Sequence, residues 1–306
     1  MKKSMMTTLS LATALTAFAG IVAPTASAQR DFSNVEITTQ EVVPGIYMLK
    51  GAGGNIGLSV GDDGAFLIDD QFAPLSDKII AAIKTITDQP IEFVLNTHHH
   101  GDHTGGNEAF GKGGAYIVAH DNVRTRLASG SSIPGRESPP VAPDALPVIT
   151  FSQSVTFHQN GHELHIFHPE NAHTDGDAIV FFKDVNVIHM GDVFFATRYP
   201  FIDTNSGGSI QGYIAALDSV VALSDKDTKI IPGHGDLSGK ADVANLSATL
   251  KEISSRVEKL IKDGLDEEAV VAQKPLADLD EKWGGGFISG ERMTRSVYKS
   301  LKGTDE

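Results

Sequence analysis

The chain has 306 residues, 41% of them hydrophobic, with no cysteine and a formal net charge of −14 at pH 7. The absence of cysteine excludes disulfides, thiolate metal ligands and cysteine nucleophiles. An excess of acidic residues repels nucleic-acid phosphates and anionic lipid headgroups, so the composition argues against nucleic acid or a membrane surface as the partner.

Residues 1–28 have the pattern of a secretory signal peptide. Lys2 and Lys3 form a basic start, an apolar stretch follows, and Ala26 and Ala28 are the small residues expected at a cleavage site. The apolar stretch is short for a bilayer, which needs about 20 residues. We predict cleavage after Ala28, export to the periplasm or the medium without a membrane anchor, and one domain over residues 29–306 with a helical C-terminal region.

The first half of this domain predicts strands, a helix and a further strand. "VEITTQEVVPGIYMLKG" alternates as strands do, and "NIGLSVGDDGAFLIDD" is typical of a hairpin around Gly-Asp-Asp-Gly. "LSDKIIAAIKTITDQ" has its apolar residues at helical spacing, and "IEFVL" indicates a buried strand.

A strand, a short helix and a long loop are predicted next. "AYIVAH" indicates the strand, and "DNVRTRLA" the helix, with Asp121 as its N-cap. The segment from Ser129 to Pro147 is rich in proline, glycine and serine, which predicts a loop. Loops of this length often form a lid or a substrate wall, but a surface excursion without function explains it equally well.

The second half repeats the order of the first. "VTFHQNGHELHIFHP" and "DAIVFFKDVNVIHMGDVFF" each indicate two strands, "IQGYIAALDSVVALSD" a helix and "TKIIPGHG" a strand. Two similar halves predict two packed sheets with helices outside, which is a four-layer αββα sandwich. The remaining chain carries amphipathic patterns in "KADVANLSATLKEISSRVEKLIKDG" and "ISGERMTRSVYKSLKG" and is predicted to be helical.

The segment "NTHHHGDHTGGN" places His98, His100, Asp102 and His103 directly after the strand "IEFVL". In an extended chain the side chains of His98 and His100 point the same way, and that of His99 points away. Imidazole and carboxylate groups suit zinc and, less exclusively, iron or manganese. The segment therefore predicts metal ligands, with His99 outside the site.

Further candidate ligands end other apolar strands. His173 precedes a strand, Asp192 follows the strand "VIHM", and His234 lies between glycines after the strand "KII". Polar residues at strand ends are expected where loops at one edge of the sheets meet at a site.

The combined pattern resembles the metallo-β-lactamase superfamily of metal-dependent hydrolases, over nearly the whole chain after the signal. The resemblance implies the αββα fold, a small-molecule substrate and two divalent metal ions, with zinc as the first expectation. The implied ligands are His98, His100 and His173 for one ion, Asp102, His103 and His234 for the other, and Asp192 bridging both.

The resemblance also implies hydrolysis by metal-activated water, in which Asp102 is a ligand that orients the nucleophile and relays a proton. Many β-lactamases of this family have a lysine three residues after the bridging position, but Phe195 stands there. We therefore expect a lactone, thioester or other ester as the substrate. A β-lactamase proper, with Arg198 supplying the cation, and a catalytically weak metal-binding protein are the alternatives. The sequence does not predict the oligomeric state.

For several residues, the sequence is compatible with two different roles. Asp69 is implied to support the metal loops or is an ordinary strand end, and His189 is a partner of the ligands or a strand residue. The aromatic residues Phe194, Phe195, Tyr199 and Phe201 form an apolar wall or belong to the core. The remaining histidines are expected to be strand residues, namely His120, His158, His162, His165 and His168.

Overall fold

The computed structural model describes residues 31–130 and 138–303. The predicted signal peptide, and residues 131–137 of the predicted Ser129–Pro147 loop, lie outside the described residues. Within the described ranges, no helix combines the length and the hydropathy required to cross a membrane.

The described residues form two β-sheets and nine α-helices. The strands of the first sheet, side by side in chain order, are β1 (Thr38–Val43), β2 (Ile46–Lys50), β3 (Ile56–Gly61), β4 (Gly64–Ile68), β5 (Ile91–Leu95), β6 (Tyr116–His120) and β7 (Ile149–Phe151). The second sheet has the order β13-β12-β11-β10-β9-β8, with β8 (Ser154–Gln159), β9 (His162–Phe167), β10 (Ile179–Phe182), β11 (Val187–His189), β12 (Lys229–Ile231) and β13 (Ser238–Gly239). The helices are α1 (Ser76–Lys84), α2 (Gly101–Thr104), α3 (Asn107–Lys112), α4 (Asp121–Ser129), α5 (Ile210–Leu223), α6 (Lys240–Lys262), α7 (Glu267–Ala272), α8 (Asp280–Trp283) and α9 (Gly290–Lys302).

The inner faces of the two sheets share one hydrophobic core. Successive strand residues point to opposite faces, so alternate side chains of each sheet face the other sheet. Met48 and Phe66 of the first sheet pack with Ile166, Val180 and Phe182 of the second, and all five are buried. This face-to-face packing forms the two central layers of the fold.

Helices cover both outer faces. On the first sheet, Ile79 of α1 packs with Leu67. On the second sheet, Leu250 of α6 and Val297 of α9 pack in the same cluster as Ile230. The chain thus has the predicted four-layer αββα architecture, and the apolar stripes of the C-terminal helices face their own sheet.

The two halves share the predicted order of strands, helix, strand and site-bearing loop. β4 and β5 are parallel and joined through α1, and β11 and β12 are parallel and joined through α5. A parallel pair needs such a crossover, so both members of the pair end at the same edge of their sheet. The chain leaves β5 toward the histidine-rich segment and leaves β12 toward His234.

The alternating run before residue 51 forms two strands, β1 and β2, and Gly45, with a left-handed φ of 81°, turns the chain between them. One detail differs from the sequence predictions. Asp121 is not the N-cap of α4. The helix begins at Asp121, and the N-cap is His120, whose Nδ1 accepts a hydrogen bond from the backbone N–H of Asn122 at 3.2 Å.

The β8–β9 turn of the second sheet docks on the β3–β4 turn of the first through Asn160. Its Oδ1 accepts from the Asp63 N–H (3.2 Å), and its Nδ2 donates to the Gly64 carbonyl (2.9 Å) and to Ser59 Oγ (3.3 Å). Asn160 has a φ of 56°, which asparagine tolerates better than most residues. One side chain therefore ties the two sheets at this end.

We expect Asn160→Ala to lower the free energy of unfolding by about 2–4 kcal/mol, because alanine loses these hydrogen bonds and disfavours the left-handed backbone. Asn160→Gly loses the hydrogen bonds alone and should cost about 1–3 kcal/mol. Urea unfolding of both variants measures the two contributions. Unchanged stability in both would contradict the docking role of Asn160.

Candidate metal centre

All seven predicted ligands lie on loops at one edge of the two sheets. His98 and His100 follow β5, His100 has an extended backbone, and the chain then turns into α2, which carries Asp102 and His103. The other loops contribute one residue each: His173 from the β9–β10 loop, Asp192 from a 3-10 turn after β11, and His234 from the loop after β12. The structure therefore brings together residues that are up to 136 positions apart, from His98 to His234.

The first group of ligand atoms consists of three imidazole nitrogens and one carboxylate oxygen. His100 Nδ1 lies 3.1 Å from His98 Nε2 and 3.0 Å from His173 Nε2. Asp192 Oδ2 lies 3.8 Å from His98 Nε2 and 3.7 Å from His173 Nε2. The potential ligand atoms of these residues lie within 4.8 Å of one another.

The second group lies on the other side of Asp192. His234 Nε2 lies 3.4 Å from Asp102 Oδ2, and His103 Nε2 lies 3.8 Å from the same oxygen. Asp192 Oδ1 is 3.2 Å from His103 Nε2 and 3.3 Å from His234 Nε2. The two oxygens of Asp192 therefore face different groups.

The donor atoms fit divalent cations. In a tetrahedral zinc site with bonds of about 2.0–2.2 Å, neighbouring ligand atoms are roughly 3.4 Å apart, which is close to the spacings in both groups. Among the described residues, the buried His103 Nε2 and Asp192 Oδ1 have no hydrogen-bond partner of acceptable geometry. Buried polar atoms without partners are costly, so this pair fits an ion held by the second group.

Protonation differs between the two groups. Burial lowers the pKa of His98 and lowers that of His173 to about 4, so both rings are neutral and offer a lone pair. Burial also acts against charge on His234, but Asp192 and Asp102 together outweigh it and raise the pKa of His234 to about 9. The pKa of His103 is raised in the same way, against burial, by Asp192 and other carboxylates. The carboxylates of the second group thus require positive charge, which protons or a metal ion can supply.

Asp69 supports two of the candidate ligands. Its carboxylate accepts hydrogen bonds from the backbone N–H and the Oγ1 of Thr97, both at 2.7 Å, and from His103 Nδ1 at 2.7 Å. Thr97 Oγ1 in turn lies 3.1 Å from His98 Nδ1. These contacts fix the ring orientations of His98 and His103, so the supporting interpretation of Asp69 is the correct one.

Two further contacts orient the first group. His100 Nε2 donates to Asp203 Oδ2 at 3.0 Å, and His173 Nδ1 donates to the Phe201 carbonyl at 2.7 Å. Burial raises the pKa of Asp203, but the contacts with His100, Ser206 and His173 together outweigh it and keep the pKa below its usual range. Asp203 is therefore a carboxylate. The sequence analysis missed this residue, because no strand pattern or motif precedes it.

Asn55 was also missed, and it holds the loop that carries His234. Its Nδ2 donates to the carbonyls of Pro232 (2.9 Å) and Gly235 (3.0 Å), on either side of His234. Its backbone N–H donates to the Gly233 carbonyl at 2.7 Å. A side chain from the first sheet thus fixes a candidate ligand of the second.

Two glycines allow the close packing of the centre. A Cβ on Gly54 would lie 2.1 Å from His103 Cε1, and a Cβ on Gly233 would lie 2.1 Å from Asp192 Oδ1. Any larger residue at these positions would displace a candidate ligand.

The other histidines lie outside the two groups. His189 is buried, donates from Nε2 to the Asn55 carbonyl and accepts from the Gly191 N–H, both at 3.2 Å, so it supports loops of the site. His120 stacks on His168 with ring centroids 4.0 Å apart. His99 belongs to neither group, although its ligand atom lies within 4.8 Å of those of His100 and Asp203; its Nε2 is 3.5 Å from Ser206 Oγ.

The four aromatic residues after Asp192 divide between core and site. Phe194 and Tyr199 are buried in the core beneath the second sheet. Phe195 stacks on His234, with centroids 5.0 Å apart and planes at 20°, and Phe201 stacks on His100 at 5.8 Å and 23°. Phe195 and Phe201 therefore border the site, one beside each ligand group.

Arg198 lies near Asp236, two residues beyond His234. Lys50 and, more weakly, Arg198 lower the pKa of Asp236. The side chain of Arg198 also packs against Gly286. Arg198 thus lies against the segment that precedes Phe287.

Comparison with known proteins agrees with this architecture. Residues 49–234 match the family described as the Metallo-beta-lactamase superfamily. Two relatives named hydroxyacylglutathione hydrolase, from Pelagibacter ubique (strain HTCC1062) and Polaromonas sp. (strain JS666 / ATCC BAA-500), are 27% identical over 188 residues and 28% identical over 163 residues. The matches cover 58% and 53% of this chain, and 70% and 55% of the respective relatives, so the second relative is matched over less than two thirds of its length.

Solved structures of the same fold include a metallo-beta-lactamase from Pontibacter korlensis and the stereoselective inverting sec-alkylsulfatase Pisa1 from Pseudomonas sp. The TM-scores are 0.59 and 0.64, and both are 18% identical to this chain. The first match covers 71% of this chain and 99% of the other, and the second covers 86% and 50%. The chain belongs to the metallo-β-lactamase superfamily and is a metal-dependent hydrolase.

We expect Asp203→Ala to weaken zinc binding about 10- to 100-fold, because His100 would lose the acceptor that fixes its tautomer and ring orientation. Competition with a chromophoric chelator measures the zinc affinity directly. Asp184→Ala is the matched control, since Asp184 also contacts a histidine, His162 at 2.6 Å, on the β9 hairpin. Equal affinities in the two variants would contradict the positioning role of Asp203.

Proposed function

We propose that this chain is an exported hydrolase that binds two zinc ions and cleaves a carbonyl ester, thioester or lactone in a small molecule. One ion would be held by His98, His100 and His173, the other by Asp102, His103 and His234, with Asp192 shared. The observation that carries the proposal is the position of Asp192, whose two oxygens each face a pair of histidine nitrogens at 3.2–3.8 Å.

The exposure of the candidate ligands indicates where a substrate would enter. His98, His103 and His173 are buried, whereas the side chains of His100 and His234 are each 22% exposed. Asp102 is 28% exposed. The side of the centre formed by His100, Asp102 and His234 therefore faces solvent.

When bound, the two metal ions would act as Lewis acids that activate water and polarise a carbonyl group. Asp102 lies on the open side, where its carboxylate would orient the attacking water and pass its proton to the leaving atom. Asp192 is buried and would hold the two ligand groups together without contacting the substrate.

Two observations favour a carbonyl ester or thioester over a β-lactam. Phe195, at the position where many β-lactamases of this family have a lysine, is 8% exposed and stacks on His234, so no cation is supplied there. The relatives at 27–28% identity are named for the hydrolysis of hydroxyacylglutathione, whereas the β-lactamase and sec-alkylsulfatase structures share 18% identity. Arg198, the cation that the β-lactam alternative would use, acts only weakly on Asp236 near His234, whereas Lys50 forms an ion pair with Asp236.

The experiment is to purify the processed protein, measure bound metal per chain, and compare turnover of a thioester, an acyl-homoserine lactone and a chromogenic cephalosporin. We expect two equivalents of zinc and a preference for the thioester or the lactone. A chelator should abolish turnover and lower the Tm, because the ions bind only the folded state. A cephalosporin preference would favour the β-lactamase alternative, and turnover that survives complete metal removal would contradict the proposal.

We expect Asp102→Ala to reduce kcat about 10²- to 10⁴-fold, the usual contribution of a positioned acid or base. His158→Ala is the control, since His158 is exposed on β8. Its turnover and zinc content should equal those of the unaltered protein. An Asp102→Ala protein with full turnover and full metal content would overturn the proposed mechanism.

If the chain is exported with cleavage of the signal peptide after Ala28, the mature protein begins at Gln29. The intact mass of protein from the periplasm or the medium should correspond to a chain that begins at Gln29, since the signal pattern ends at Ala28. Accumulation of the 306-residue chain in the cytoplasm would contradict it.

A further inference from the structure

Phe201 presents an aromatic surface directly beside the first ligand group. Its ring stacks on His100 at 5.8 Å and meets the ring of His173 edge-on at 5.7 Å and 71°. Its backbone carbonyl accepts the hydrogen bond from His173 Nδ1. Phe201 is only partly buried. Its ring is thus fixed against two candidate ligands on the side where His100 is open to solvent.

Phe287 extends this surface outward. Its ring is 6.3 Å from that of Phe201 at an angle of 89°, which is a favourable edge-to-face geometry. Phe287 is 68% exposed, the largest fraction among the exposed large hydrophobic side chains of residues 31–130 and 138–303. A single exposed apolar side chain is common, but this one continues an aromatic surface that begins at the metal centre.

The loop that carries Phe287 is held in place. The guanidinium carbon of Arg292 lies 4.1 Å from the ring centroid of Phe287, and Arg292 Nη1 donates to the Phe287 carbonyl at 3.0 Å. The residues before Phe287 contact the segment that leads to Phe201. The Tyr199 N–H donates to the Trp283 carbonyl at 2.8 Å, and Gly286 lies against the side chain of Arg198. These contacts therefore hold Phe287 in place beside Phe201, at the edge of the candidate site.

We infer that Phe201 and Phe287 form an apolar ledge that binds the acyl chain of an ester or thioester whose acyl group is aromatic or has at least about six carbons. The inference rests on the proposed function and adds the substrate class. With its carbonyl at the metal centre, such a substrate would lay its apolar chain across His100 and Phe201 toward Phe287. Burial of that chain against the exposed ring of Phe287 supplies the binding energy.

The test uses the processed, zinc-loaded protein and p-nitrophenyl esters from acetate to octanoate. We expect kcat/KM to rise with acyl length, and Phe287→Ala to lower the octanoate-to-acetate ratio about tenfold, since it removes one ring from the contact with the long chain. Phe287→Leu should retain most of the ratio. Tyr116→Ala, which removes a 53% exposed aromatic ring on β6, is the matched control and should leave the ratio as it is.

Calorimetric binding of octanoate and acetate provides a readout independent of turnover. We expect octanoate to bind more tightly than acetate, and Phe287→Ala to remove most of the difference. Turnover of the esters with no dependence on acyl length, or an unchanged ratio in Phe287→Ala, would overturn the ledge while the hydrolase proposal stands. Should the zinc-loaded protein cleave none of the esters, thioesters or lactones, the hydrolase proposal fails, and octanoate binding alone then decides for or against the ledge.

Discussion

The structure of the site depends on the burial of one carboxylate between two sets of imidazoles. Asp192 is 5% exposed, and its two oxygens face His98 and His173 on one side and His103 and His234 on the other. Removal of a carboxylate from water is costly unless positive charge is supplied. Such a cluster is stable only with protons or metal ions among these groups, and the surrounding contacts hold the side chains ready for them.

Two similar halves of the fold bring the side chains of this cluster together. In each half, a parallel strand pair ends at the same edge, so the segment after β5 and the loop after β12 approach from opposite sheets. Asp69 fixes the first of these segments and Asn55 the second. Because Asn55 belongs to the first half and binds the carbonyls around His234, contacts between the sheets set the position of His234 relative to Asp102 and His103.

The sequence predicted those parts of the structure that depend on local patterns. The candidate ligands lie in segments next to apolar strands, six of them after a strand and His173 before one, and the repeated element order indicates the αββα sandwich. The residues that the sequence did not reveal act over long separations, such as Asp203 on His100 and Asn55 on Gly235. The cap of α4 was misassigned because an imidazole, His120, accepts the hydrogen bond that was expected of Asp121. Short strands such as β7 and β13 contain too few residues for a period to be visible.

The candidate metal ligands and the outer residue of the proposed acyl-binding surface lie in different parts of the chain. Every candidate ligand falls within residues 49–234, the part that matches the superfamily. Phe287 lies beyond that part, in the C-terminal helical region, and reaches the site only because the loop after α8 packs on the segment containing Tyr199. A change of the acyl-binding surface therefore need not disturb Asp192 or its histidines. On this argument, related chains with the same ligands would differ in substrate mainly through the segment that follows their shared domain.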